Sequence, residues 1–210
     1  MCAAFWFTDG VEDRLDNLPA RLARVASKLA VAASMPGEPV MFGATSHRFR
    51  LGPPLLEDAV AGFEQRHGVR LPADYRGFVT TVGHGGPGRF GGAGPFYGLH
   101  SLDDWHLGLW GMPDDALLAR QFPAAPDRVY EGWLDEVAPD DDDEAYCGTL
   151  ALSDQGCGCL SLLVVSGPAR GRVVDNVESE QGPFFTSDPD FLSWYERWLN
   201  AVLAGERHFR

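Results

Sequence analysis

The stretch Gly68-Val69-Arg70-Leu71-Pro72-Ala73-Asp74-Tyr75-Arg76-Gly77-Phe78-Val79 decides how this chain folds. Gly68 is placed to end one helix and Pro72 to open the next, because proline's missing N–H costs nothing in a helix's first turn. Leu71, Tyr75, Phe78 and Val82 then recur at helical spacing and give one apolar face. Gly83 stops that helix and begins a glycine-rich run to Gly94, followed by Pro95-Phe96-Tyr97-Gly98-Leu99. Glycines such as Gly83, Gly85 and Gly86 admit backbone shapes that other residues avoid. The stretch specifies geometry and offers little obvious chemistry.

Working backward, Leu55 to His67 reads as a helix with Leu56, Val60 and Phe63 on one face and Glu57 and Asp58 in a first turn that favours anions. Glu64 lies beside that face, where it can accept hydrogen bonds from backbone donors near the next helix start. A catalytic carboxylate would want a partner at a defined distance, and the sequence shows none. Leu51-Gly52-Pro53-Pro54 is extended, and Val40-Met41-Phe42 reads as a short strand. Before it, Val11, Leu15, Leu18, Leu22, Val25, Leu29 and Ala32 alternate at spacings of four and three, which is an amphipathic helix stripe. Pro19 interrupts it early, so the main helix is expected from near Asn17 to about Ser34, ended by Pro36 and Gly37.

Working forward, His100-Ser101-Leu102-Asp103-Asp104-Trp105-His106 reads as a loop and a helix start with Asp103 or Asp104 as N-cap. Its histidines and carboxylates are a conceivable metal set, the weaker alternative. Trp105, Leu107 and Trp110 are expected to pack this segment onto the core. Residues 113–145 are broken by prolines and acidic, and the run Asp140, Asp141, Asp142, Asp143, Glu144 repels itself into solvent. Three strands follow, at Thr149–Ser153, Leu160–Val165 and Gly171–Val177, joined by short turns that imply antiparallel hairpins. Leu162-Leu163-Val164-Val165 is apolar at consecutive positions, as in a strand covered on both faces. A last helix, capped by Ser187 or Asp188, runs to about Ala204 and presents Phe191, Trp194, Tyr195, Trp198 and Val202 to the sheet.

Composition narrows the function. Among 210 residues, 17 are basic and 30 acidic, a net charge of −13, whereas nucleic-acid binding needs a basic footprint. An acidic surface suits a basic partner. Residues 1–7 are apolar but lack a basic leader, and no run approaches the roughly 20 apolar residues of a membrane helix, so a cytoplasmic protein is expected. Cys2, Cys147, Cys157 and Cys159 read as small, buried or partly buried thiols, since a single glycine between the last two is poor zinc spacing. Gly-x-Gly-x-x-Gly occurs at Gly83-Gly85-Gly88 and Gly86-Gly88-Gly91, but a helix precedes it where the dinucleotide fingerprint needs a strand. No cofactor is expected.

Leu-Pro-x-x-Tyr-x-x-Phe at Leu71, Pro72, Tyr75 and Phe78, then Gly83-His84-Gly85-Gly86, then Tyr97-Gly98-Leu99 resembles the SUKH superfamily. The resemblance extends back to Phe63-Glu64 and forward to Gly156, Gly158, Gly167, Gly171, Trp194 and Trp198. That superfamily includes fungal cell-wall-synthesis regulators and bacterial immunity proteins that neutralise toxins. It implies an α+β fold, with an antiparallel or mixed sheet flanked by helices. Here that domain would span 51–205 after an N-terminal helical extension at 1–50. It implies a non-enzymatic protein-binding module, in the first place an immunity protein for a basic toxin domain, acting as a monomer or weak dimer. The alternatives are a regulatory or scaffold protein without a toxin, and a metal-dependent hydrolase using His100, Asp104 and His106. Relatives usually carry Gly-Asn-Gly-Gly where this chain has His84, and this loop is longer. Partner contacts are therefore expected at His84, Arg89, Phe90, Tyr97 and His100 and along Asp140–Glu144.

Overall fold

A computed structural model describes residues 17–85, 91–107, 109, 114–130, 132, 145–176 and 183–209. Within them the fold is α+β: helices pack on one face of a four-stranded antiparallel sheet. Helix α1 (Leu18–Ser34) carries proline in its first turn and buries Leu22, Val25, Leu29 and Ala32. The start of its stripe, at Val11 and Leu15, lies outside the described residues. α1 runs against the last helix, α5 (Phe191–Leu203), and against α4 (Ala73–Thr81), so its stripe belongs to the main core.

The polar edge of the α1–α5 contact is an ion-pair network. Arg21 donates to Asp190 at 2.7 Å, both Arg24 nitrogens reach Glu196 at 2.6 and 2.8 Å, and Lys28 adds a third bond to Glu196 at 2.6 Å. The bond from Arg24, ahead of the others, holds the Glu196 carboxyl down at about 2. The capping residue of α5 is Asp190, whose Oδ1 accepts from the Ser193 N–H at 2.8 Å. Neither expected cap, Ser187 or Asp188, serves: Asp188 is taken instead by Arg197, three of whose contacts to it measure 2.7 to 3.1 Å.

α3 is Glu57–His67, shorter than the apolar pattern suggested. Pro53-Pro54 keep the chain extended, and the Leu55 N–H pairs with the Val79 carbonyl at 2.8 Å. Leu56 is therefore an extended N-cap, 78% exposed, and Leu55 packs on the core in its place. Gly68 ends α3 in a left-handed conformation, φ 63°. Val40-Met41-Phe42 is not a strand: it turns, through Gly43, into the four-residue helix α2 (Ala44–His47). A strand there would need a neighbour, and the nearest backbone partner of Phe42 is the carbonyl of Arg207, at 2.8 Å.

The sheet runs β1 (Thr149–Gly156), β2 (Cys159–Val164), β3 (Val173–Asn176), β4 (Phe184–Phe185) in that order. Leu163 and Val173 are paired and face the helices, while Leu162 and Val174 are paired and face away. The far face is covered by Phe122, Ala124, Tyr130 and Tyr146. The described part of 113–145 thus forms a lid on the far face of the sheet. A segment with so few consecutive apolar residues hides that role, because each anchor is isolated between prolines and charges. Asp140–Glu144 lie outside the described residues.

Cys157 and Gly158 form the two-residue turn between β1 and β2, both with positive φ (53° and 79°). Cys157 is exposed, unlike the buried thiol expected, with Cys147 buried and Cys159 between the two. An L residue other than Asn or Asp is strained there, and Asn-Gly is the favoured pair for such a turn. Cys157→Asn should raise stability by about 0.5–1 kcal/mol, read as a higher urea midpoint with unchanged slope.

Candidate functional site

The glycine junction is built by close backbone approach. His84 pairs with Gly52, Gly92 with Leu99, and Leu99 with Ser153, tying the segment after α4 to β1. A Cβ at Gly85 would overlap the Leu99 carbonyl oxygen, which explains glycine there. Glu64 Oε1 accepts from the Leu71 N–H at 2.9 Å, fixing the start of α4, where Leu71, Tyr75 and Phe78 are all buried. Gly156 precedes the β1–β2 turn and Gly158 lies in it, Gly167 and Gly171 belong to the β2–β3 connection, and Trp194 and Trp198 are buried on α5. Gly86, Arg89 and Phe90 lie outside the described residues.

The expected partner contacts do not converge. His100 is 5% exposed and offers no surface to a partner; its N–H bonds to the Leu152 carbonyl at 2.7 Å. Burial lowers its imidazole pKa against the raising influence of Asp154 and Asp104, and lowers that of the half-buried His84 against Asp103. Ser101, not an aspartate, precedes a single 3-10 turn at Leu102–Asp104, and its hydroxyl donates to Asp104 at 2.7 Å. With Asp104 so engaged, no three His, Cys, Asp or Glu side chains among the described residues are arranged to hold a metal ion.

Tyr97 leads to a different place. Its ring lies 5.8 Å from that of Phe42, which also meets Phe96 at 5.6 Å and stacks on His208 at 6.1 Å. Phe42 is 44% exposed. Phe42, Phe96, His208 and Phe209 line an open hollow of about 390 Å³. Phe96 and Phe209 also line a second, smaller and more enclosed hollow of about 100 Å³. Its floor is polar: Ser161 and Asp175 are cross-strand partners on the helix-facing side of β2 and β3, next to the apolar pair Leu163 and Val173. Asp175 Oδ1 accepts from Ser161 at 2.9 Å and from Gln155 Nε2 at 2.7 Å. Burial pushes the Asp175 carboxyl up, against those two hydrogen bonds and Arg197.

Phe96 holds φ +63°, a strained conformation for a phenylalanine, at the place where the two hollows meet. The aromatic group was missed in the sequence because its members come from distant segments. The polar floor carried a signal: Ser161 and Asp175 break an otherwise apolar face.

A further hollow of about 220 Å³ lies where α1 ends, with Ala32, Met41 and Phe49 on its floor. Its charged rim includes Arg50 and the pair Arg48–Glu38, joined at 2.8 Å.

Among the described residues no helix is long and apolar enough to cross a membrane. The family model described as SMI1 / KNR4 family (SUKH-1) matches residues 54–197, more than half of the chain. No curated protein and no solved structure matches the chain significantly.

Proposed function

We propose, from the premise that this chain belongs to the SMI1/KNR4 family (SUKH-1), that it is a non-catalytic protein-binding module whose partner is a toxin. In this reading it is an immunity protein of the cytoplasm, a monomer or weak dimer, that silences a basic toxin domain by covering it. The observation that carries the reading is the exposed aromatic hollow around Phe42 on a chain of net charge −13. Exposed aromatic anchors within a charged surface are what a partner-binding face requires. The charge would speed encounter with a cationic partner.

The test is rescue. Cells expressing the toxin encoded beside this gene should survive when this protein is co-expressed, and Phe42→Ala should weaken the purified complex by about tenfold. Affinity should fall as salt rises. Full toxicity in the presence of well-folded protein, with no complex detected, would favour a regulatory partner instead.

A further inference from the structure

We propose that the two adjoining hollows, which share Phe96 and Phe209, form a receptor for a single organic cation, the guanidinium or ammonium head of an arginine or lysine side chain on the partner. This rests on the reading that the partner is a basic protein, and it names the contact that would select it.

The inner hollow is a built site. Its floor interrupts an apolar sheet face with Ser161, Asp175 and Gln155, all hydrogen-bonded together. Opposite Ser161 in the register stands Ser153, fully buried, whose hydroxyl has no partner among the described residues. Ser161, Asp175 and Gln155 satisfy one another, but the unused Ser153 hydroxyl beside them costs stability. The charge balance favours a cation. Arg197 lines the hollow, but its guanidinium is held by the buried carboxylate of Asp188, the closest contact being 2.7 Å. Asp175 accepts from Ser161 and Gln155 but is in no ion pair among the described residues; burial favours its neutral form, and an arriving cation would hold it ionised.

The walls agree with the floor. Trp194, Phe96 and Phe209 offer ring faces and edges, and aromatic faces attract cations when water is excluded. The chain already uses this chemistry at the site: the Arg197 guanidinium lies 4.1 Å from the Phe209 ring centroid. An inner volume of about 100 Å³ suits a side-chain head group, and the open hollow of about 390 Å³ above it can take the aliphatic stem and neighbouring partner residues.

The probes are N-acetyl-arginine methylamide, its lysine counterpart and its neutral isostere, the citrulline derivative. Binding is followed on the full chain by the NMR shift of the Trp194 indole N–H, assigned by its loss in Trp194→Phe. The two cations should give saturable shifts, and citrulline should bind about tenfold more weakly or not at all. Asp175→Asn should weaken arginine binding about tenfold, and Phe42→Ala, at an exposed position, several-fold. Absence of a saturable shift with either cation, citrulline binding as well as arginine, or unchanged affinity in both variants would overturn the proposal. Cation binding without rescue from the toxin would leave this site standing and remove the immunity reading. Rescue without cation binding would do the reverse.

Discussion

His47→Asn should remove about 3 kcal/mol of the stability that the wild-type protein loses between pH 6.5 and pH 4. His47 ends α2, is 6% exposed, and its Nδ1 accepts from the Phe49 N–H at 3.0 Å. Burial drives the imidazole pKa down to about 4 from an ordinary 6.5, against backbone bonds to Gly94 and Phe96 that favour the charged form. Below pH 6.5 the unfolded chain takes up a proton that the folded chain refuses, so stability falls and levels off only below about pH 4, once the folded form is protonated too. Asparagine keeps an acceptor without that titration. His84 and His100 act in the same direction, and Asp74 and Asp175, raised by burial, act against it. The comparison is therefore the difference between the two proteins, from urea unfolding at stepped pH. Parallel curves for the two would contradict it.

Gly43→Ala should cost roughly 3 kcal/mol or more. Gly43 has φ +78°, and a Cβ there would overlap the carbonyl group of Phe96. Two penalties combine: a left-handed alanine and a backbone clash that no rotamer change relieves. The displaced chain would be that of Phe96, so the aromatic hollow should be lost with the stability. A lower melting temperature together with loss of partner or cation binding is expected. A variant as stable as wild type would show that the 43 and 96 segments do not meet so closely.

Helices and hairpins were legible in the sequence where the signal was local. Gly68, Pro72 and the Leu71-Tyr75-Phe78 spacing mark the ends and face of α4, and the consecutive apolar residues of β2 announce a strand with both faces covered. The misses share a cause: the deciding interaction lay far along the chain. Asp188 looks like a cap for α5 until Arg197 claims it. Val40-Met41-Phe42 has strand composition, yet its N–H groups find no neighbouring strand. β4 is two residues long, below what any periodicity can reveal. The aromatic hollow was least legible, because Phe42, Phe96 and Phe209 are brought together by tertiary packing alone. His100, chosen for its chemistry, is buried by the junction that its own backbone helps to build.

The clamp between α1 and α5 has a consequence for how the protein is made. Residues joined by the Arg21, Arg24 and Lys28 bonds stand 168 to 172 positions apart. On the ribosome, the apolar stripe of α1 emerges long before the tryptophan-bearing helix that will shelter it. Until then Val25 and Leu29 must wait bare or be covered by a chaperone, and contacts this distant in sequence slow the final closure.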